Sequence, residues 1–335
     1  MDTLVLVVVI LLALGFDVTN GFHDSANSVA ALVATRAATA GQAVTVTAFG
    51  NLAGPLLAGT AVANTVGGVV HLPPGTTVAV IGAALSSAIG WNLLTWRFAL
   101  PSSSSHGLIG GLIGASLTGG WGHVHWGGFD GWRPTGVVGV LVGLAISPLL
   151  GGLVGAAFSA VAWRSLRRAR RRFNRVVRRG EWVTASALAF SHGANDAQKT
   201  MGVIALLLVA TGHLNRFEVP IWVRLSAATA LTIGTMFGGW RIVRTVGHGI
   251  YRMRPLDGLV SQTSSAAVIL TAAMVGAPVS TTHVVASSVM GVGIQRRIGH
   301  VHWQVAREIG AAWLITLPAT MVVGALLVPV WKVLS

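Results

Sequence analysis

Charged residues are scarce in this chain of 335 residues and make up only 10% of it. A soluble domain carries about a quarter charged residues, so this shortage excludes an ordinary soluble protein. Hydrophobic residues make up 53%, and the mean hydropathy is +0.71. About ten apolar segments have roughly the 18 residues that a membrane-spanning helix needs. The sequence therefore predicts an all-α integral membrane protein.

Cysteine is absent, which excludes a disulfide framework and a thiolate metal site. The sequence also lacks the GxSxG, Walker A, GxGxxG and zincin motifs, so nothing indicates an enzyme or a bound cofactor. The N-terminal apolar stretch has no basic region before it and no small-residue cleavage site after it, which argues against a signal peptide. Without an ATP-binding domain in this chain, any transport would be secondary.

Positive charge is concentrated in one place. The net charge is +14, and nine arginines lie between Arg164 and Arg179, between two apolar regions. This distribution favours a cytoplasmic loop that contacts anionic lipid over a nucleic-acid site. With residues 164–180 inside the cell, the other basic residues fall mainly on the same side, and both termini are expected to be external.

The apolar segments have two lengths. Eight long ones are expected at roughly 2–20, 42–64, 76–97, 135–163, 182–212, 221–240, 256–275 and 304–331. Two shorter pieces, 103–120 and 280–295, begin in small polar residues and are expected to be short or broken helices. The whole amounts to about 10–12 helical segments.

The chain contains an internal repeat. "GFHDSANS" (21–28) aligns with "GANDAQKT" (193–200) at an offset of 172, and residues 85–106 align with 262–283 at an offset of 177. The expected organisation is a first repeat at 1–163, the basic loop at 164–180 and a second repeat at 181–335. Because each repeat crosses an odd number of times, the two must be inverted. Inverted repeats are typical of transporters, with the substrate site at their interface.

Two serine and threonine blocks, "PSSSSH" (101–106) and "PVSTTH" (278–283), open the short pieces. A helix that starts within the membrane presents unpaired amides and partial positive charge there, and hydroxyls add hydrogen-bond donors. Two such starts facing one another would suit a tetrahedral oxyanion such as phosphate or sulfate. The alternative is that the hydroxyls only cap or pack the helices.

Two aspartates, Asp24 and Asp196, occupy equivalent positions in the repeats. Carboxylates within a membrane are rare and usually functional. Beside Asn27 and Asn195, they could bind a small cation or a proton, unless they lie at the interface in contact with water. Asp17 is a weaker candidate, since its equivalent position is an alanine.

The two copies differ next to these aspartates. Lys199 stands where the first copy has Asn27, and His23 stands where the second has Asn195. Lys199 could replace a cation, neutralise Asp196, contact the anion or extend to water. His106 and His283 close the serine blocks and could couple transport to protons or be ordinary core residues. The histidines at 123 and 125 are too few to assign a metal site.

These residues resemble the inorganic phosphate transporter (PiT) family. "GFHDSANS" and "SHGANDAQKTMG" are similar to its duplicated G-A-N-D signature, and "PSSSSHGLIGG" and "PVSTTHVVASS" to its proline–serine/threonine–histidine signature. The similarity covers nearly the whole chain and is strongest to the bacterial low-affinity Pit-type phosphate symporters, which share His23 and the Gln-Lys-Thr variant.

The resemblance implies inverted repeats with re-entrant or broken helices and a phosphate held between the serine and threonine blocks. The implied phosphate ligands are Ser103, Ser104, Ser105, Ser280, Thr281 and Thr282. The positions linked to the coupling cation are Asp24, Asn27, Asn195 and Asp196, with His23, Lys199, His106 and His283 as modulators. Family members form dimers, which makes a homodimer possible, although the sequence itself carries no signal of an interface.

The expected function is import of inorganic phosphate across the bacterial plasma membrane by proton symport. The resemblance leaves open a divalent metal carried with phosphate, sodium as the coupling ion, and sulfate or another oxyanion as substrate. A passive anion channel and a phosphate receptor are the remaining alternatives, although two intramembrane aspartates argue against a simple anion pore.

Overall fold

The computed structural model describes residues 3–70, 72–119, 123–131, 133–166, 168 and 173–334. Within them the chain is almost entirely helical, with one pair of two-residue strands, β1 (Phe129–Asp130) and β2 (Arg133–Pro134). The helices are α1 (Thr3–Asp24), α2 (Ala26–Ala34), α3 (Ala40–Leu57), α4 (Ala61–Gly67), α5 (Pro74–Arg97), α6 (Ser104–Leu117), α7 (Gly136–Ser165), α8 (Phe173–Ala210), α9 (Ile221–Phe237), α10 (Trp240–Arg244), α11 (Pro255–Met274), α12 (Thr281–Arg297) and α13 (Trp303–Leu334).

The first aspartate motif lies inside a helix, not after one. The span expected at 2–20 was too short, because α1 continues through Asp24 and only Ser25 separates it from α2. The two helices form one apolar segment of 32 residues. A helix can carry polar groups at this depth when neighbouring helices bury and bond them.

The span expected at 42–64 is broken. After α3 the chain bends by 75° into the short α4, and α9 likewise turns by 63° into the segment 240–249, which ends in a π-helical turn. Both bends follow a glycine-containing interruption, at Gly59 (φ 81°) and Gly238 (φ 60°), where the left-handed backbone favours glycine. The two repeats thus share a bent second helix that the apolar pattern did not indicate.

The short pieces behave as expected. α6 has 14 residues and α12 has 17, and each begins within its serine or threonine block. The side chain of Ser103 accepts a hydrogen bond from the amide of His106, and Ser280 accepts from that of His283. These N-caps explain why the helices start where they do.

The repeats are intertwined through close glycine contacts. Gly21 of α1 packs against Gly234 of α9, while the equivalent Gly193 of α8 packs against α3 beside Gly54. A Cβ at Gly193 would lie 2.7 Å from the carbonyl oxygen of Asn51, so the backbones approach more closely than larger residues allow. Each repeat therefore packs its first helix against the second helix of the other, which supports two inverted copies of one fold.

The lipid-facing helices differ from the central ones. Among the residues that the structure describes, four helical segments are long and apolar enough to cross a membrane alone, and the two bent pairs raise the number to six. The four are Thr3–Ala34, Gly75–Arg97, Gly136–Ser165 and Trp303–Leu334. Exposed leucine, valine and phenylalanine side chains are frequent on α7 and α13, as at Leu153 and Leu326 (both 70% exposed). By contrast, α8 and α11 carry many buried polar groups, which lower their hydropathy.

Helices occupy most of the basic segment expected as a loop at 164–180. α7 extends to Ser165, and α8 starts at Phe173, so that Arg175, Arg178 and Arg179 lie on its first turns. Arg167 and residues 169–172 lie outside the described residues. The domain boundaries at 163 and 181, and the cytoplasmic side of this segment, stay predictions.

Candidate functional site

The two aspartate motifs face each other on α1 and α8. Oδ2 of Asp24 lies 3.8 Å from Nε2 of His192, and Nδ2 of Asn20 donates to Oδ2 of Asp196 at 3.5 Å. As α1 advances from Asn20 to Asp24, its partners on α8 run backwards from Asp196 to His192. The helices are therefore antiparallel, as inverted repeats require.

The offset of 172 residues relates these two contacts to each other. It carries Asn20 onto His192 and Asp24 onto Asp196, so each contact is the image of the other. Both carboxylates are almost fully buried. The duplicated motifs thus form one site on the pseudo-twofold axis, at the interface of the repeats.

The N-terminus of α12 reaches both carboxylates. The hydroxyl of Thr281 lies 3.1 Å from Oδ2 of Asp196 and 3.4 Å from Oδ2 of Asp24, so it can donate to either. Thr282 donates to Oδ1 of Asp24 at 2.9 Å, and Nδ2 of Asn27 donates to the Thr282 hydroxyl at 3.4 Å. The second threonine block therefore lies directly on the aspartate pair.

Lys199 links the aspartates to the first serine block. Its ammonium donates to Oδ1 of Asp196 and to the hydroxyl of Ser105, both at 2.5 Å, and to the carbonyl of Val279 at 3.1 Å. The side chain is buried, which excludes the alternative that it extends to water. A buried lysine needs such partners, because an unpaired charge there is costly.

The six predicted phosphate ligands converge at this place, though not in equivalent ways. Ser103 and Ser280 cap their own helices, and Ser105 accepts from Lys199 and donates to the carbonyl of Val279 at 3.3 Å. The buried hydroxyl of Ser104 has no hydrogen-bond partner in the described part of the chain. Capping, the alternative considered from the sequence, applies to two of the six.

The neighbouring amides and histidines surround the centre. Nδ2 of Asn195 donates to the carbonyl of Ala277 at 3.2 Å, which holds the turn before α12. Nδ1 of His23 lies 2.9 Å from Oδ1 of Asp24, while its Nε2 lies 3.2 Å from the hydroxyl of Thr95. His23 therefore connects Asp24 to α5.

The histidines that close the serine blocks stack on each other. The ring centroids of His106 and His283 are 4.6 Å apart, and Trp313 lies 4.0 Å beyond His283. Nδ1 of His106 is 2.8 Å from the hydroxyl of Ser103. The stack joins the starts of α6 and α12, which places the two N-termini side by side.

Sequence reasoning missed His192. Its Nε2 lies 3.1 Å from Oδ2 of Asp196, and its Nδ1 lies 3.0 Å from Oδ1 of Asn51. The signal was available, because His192 precedes Asp196 by one helical turn and aligns with Asn20. Asp24, His192 and Asp196 each offer a ligand atom within 4.8 Å of the others, an arrangement that could hold a small cation.

These features define a class of protein: a helical membrane protein with two intertwined inverted repeats and a charged, hydroxyl-rich site between them. The phosphate transporter family model matches this chain twice, at residues 20–177 and 163–324. The chain belongs to the phosphate transporter family.

Individual relatives agree with this assignment. A probable low-affinity inorganic phosphate transporter of Rhizobium meliloti (strain 1021) is 41% identical over 324 residues, which cover 96% of this chain and 95% of the relative. One of Bacillus subtilis (strain 168) is 36% identical over 334 residues, covering 97% of each. A solved structure described as the sodium-dependent phosphate transporter has a TM-score of 0.88 at 24% identity and covers 99% of this chain and 100% of that one. The last similarity concerns the fold.

Proposed function

We propose that this chain imports inorganic phosphate into the bacterial cell by proton symport, through the site between α1, α6, α8 and α12. The observation that carries the proposal is the meeting of two helix N-termini with two buried carboxylates at one point. Helix N-termini and hydroxyls bind oxyanions, and carboxylates bind the cation that neutralises them. The relatives named as low-affinity inorganic phosphate transporters support phosphate as the substrate.

The anion is held by hydrogen-bond donors from both repeats. Ser104 and Ser105 lie in the first turn of α6, and Thr281 and Thr282 in that of α12. For phosphate to bind, the threonine hydroxyls must turn from the aspartates to the anion. Protonation of the aspartates favours this exchange, because a neutral carboxyl is a weaker acceptor than a carboxylate.

Coupling follows from the charge of the site. Asp24 and Asp196 carry two negative charges, and Lys199 supplies one fixed positive charge that is already bound to Asp196. A bound proton removes the remaining negative charge, which would repel phosphate, so each species raises the affinity for the other. The lysine occupies one side of Asp196 where a mobile cation would bind, which favours the proton over sodium.

Alternating access requires the repeats to exchange conformations. The contacts on either side of the pseudo-twofold axis are images of each other, so the inverted repeats can take two related arrangements, one open to each side of the membrane. Rocking of one repeat against the other would open the site first to one side and then to the other.

The first test is uptake of labelled phosphate by the purified protein in proteoliposomes. An imposed proton gradient should drive accumulation, and Asp24→Asn should abolish it. Excess sulfate should not compete; strong competition would favour an oxyanion permease of broader specificity. Steady conductance without saturation would favour a channel, and full gradient-driven accumulation by Asp24→Asn would reject the coupling role.

A further inference from the structure

Asp17 is a fully buried carboxyl that the proposed mechanism does not use. It lies on α1, one turn before Asn20, and its Oδ1 accepts a hydrogen bond from the hydroxyl of Thr200 at 2.6 Å. Its Oδ2 has no hydrogen-bond partner, and no basic group forms an ion pair with it, among the residues that the structure describes. In the same described part of the chain, the side-chain amide oxygens of Asn20 and Asn92 are also buried without a hydrogen-bond partner.

This environment suits a neutral carboxylic acid. An ionised carboxylate without a cation and with one donor is costly to bury, whereas the neutral acid is much less so. The charged and titratable groups nearest along α8 are His192, Asp196 and Lys199, all within three turns of Thr200. The Lys199 ammonium is bound to Asp196 and to Ser105 and forms no ion pair with Asp17.

The contact between Asp17 and Thr200 continues the series of side-chain pairs between α1 and α8. The successive pairs are Asp24–His192, Asn20–Asp196 and Asp17–Thr200, so Asp17 is one step from Asp196. We infer that Asp17 is a second proton-binding site of the transport cycle, separate from the Asp24–Asp196 centre. This inference rests on the proposed proton symport.

The Asp17 site has no counterpart in the second repeat. The offset of 172 carries Asp17 onto Ala189 and relates Thr200 to Ser28, so the image of this pair contains no carboxyl. The first two pairs are images of each other and place one aspartate on each side of the axis, whereas the third pair has an aspartate on one side only. A proton can therefore be held beside the centre on one side and not on the other. With the orientation expected from the positive-inside rule, that side is external.

The proton step is a simple binding equilibrium. A proton forms an O–H bond to a carboxylate oxygen of Asp17 when water reaches it, and burial of α1 against α8 favours that neutral form. When the repeats separate on the opposite side, the O–H bond of Asp17 breaks and its proton moves to the carboxylate of Asp196, one step along α8. From Asp196 the proton passes to the water that reaches the centre. No oxidant, reductant or further reactant takes part.

The test counts protons per phosphate in proteoliposomes, with the membrane potential clamped. Asp17→Asn should lower the count by one, and the limiting phosphate accumulation should fall ten-fold for each unit of imposed pH gradient. Phosphate counterflow, which needs no net proton movement, should persist. Glu218→Gln removes an exposed carboxyl that pairs with Arg216 and should change neither value.

Infrared difference spectra supply a second readout. The wild-type protein should show the carbonyl band of a protonated, water-shielded carboxyl that Asp17→Asn lacks and Glu218→Gln retains. An unchanged proton count in Asp17→Asn would overturn this inference while leaving proton symport intact. No accumulation by the wild type under a proton gradient would overturn the proposed coupling itself. If Asp17→Asn also loses counterflow and Asp17→Glu does not restore it, the role is structural and the inference fails.

Discussion

The two copies of the aspartate motif have the same geometry but different chemistry. Asn20 and His192 occupy equivalent places, and each lies against the aspartate of the other copy. Both aspartates contact threonine hydroxyls and a histidine, but only Asp196 also binds the ammonium of Lys199. The duplication therefore preserved the backbone packing, while the polar side chains around the two aspartates diverged.

The largest effect should come from separating the ion pair of the second copy. Asp196→Asn leaves the Lys199 ammonium buried without its carboxylate, which typically costs about 3–5 kcal/mol. Asp24→Asn leaves no buried ammonium without its carboxylate. It should lower the free energy of unfolding by only about 1–3 kcal/mol. Chemical denaturation in detergent micelles would compare the two variants.

A double variant provides the control for this pair. Lys199→Met in the Asp196→Asn background should recover much of the lost stability, because the unpaired charge is removed. Equal losses for Asp24→Asn and Asp196→Asn, with no recovery in the double variant, would contradict the difference between the copies.

The serine and threonine blocks should also respond unequally. Thr281→Val removes a hydroxyl that serves both carboxylates, and hydrogen bonds to charged groups contribute about 1.5–3 kcal/mol. The equivalent Ser104→Ala removes a buried hydroxyl without a partner in the described chain, so stability should hardly change. Both variants should raise the KM for phosphate uptake if both hydroxyls bind the anion; an unchanged KM in Ser104→Ala would remove that residue from the site.

The glycine contacts should be equal in the two repeats. Gly234→Ala and Gly54→Ala each place a methyl group against backbone atoms of a neighbouring helix, which should cost about 1–3 kcal/mol through overpacking. Gly90→Ala is the matched control, because nothing lies within 4 Å of its Cβ. The melting temperatures of Gly234→Ala and Gly54→Ala should fall by similar amounts, and that of Gly90→Ala should hardly change. A fall in only one of the first two variants would contradict the symmetric packing.

The smallest effect concerns the short helices after each bend. Gln198 accepts hydrogen bonds from the amides of Val62 (2.8 Å) and Ala63 (3.4 Å) at the start of α4, and Ser25 accepts from the amide of Gly239 before α10 (2.8 Å). Gln198→Ala and Ser25→Ala should each cost about 1 kcal/mol, as lost N-caps do. The rate of amide hydrogen exchange should rise at α4 in Gln198→Ala and at α10 in Ser25→Ala. A rise in only one of the variants would show that these two hydrogen-bonded helix starts are not equivalent.

Much of this architecture could be predicted from the sequence. The repeat offset, the short helices at the serine blocks and the pairing of Asp24 with Asp196 follow from apolar length and from motif duplication. The bend after α3 was missed because both of its helices are apolar, so hydropathy does not mark the break. The bend after α9 lies where the span expected at 221–240 ends, but the following residues, with Arg241 and Arg244, gave no sign of a further helix. The role of His192 depends on how α1 crosses α8, which is set by close glycine packing that no local pattern reports.

The central claim is that the buried aspartates couple phosphate import to protons. It is tested most directly by measuring phosphate accumulation in proteoliposomes under separately imposed proton and sodium gradients, with and without divalent metal. We expect accumulation with the proton gradient alone and none with the sodium gradient alone. Accumulation driven only by sodium would contradict it, and would show that Lys199 does not exclude a mobile cation from the site.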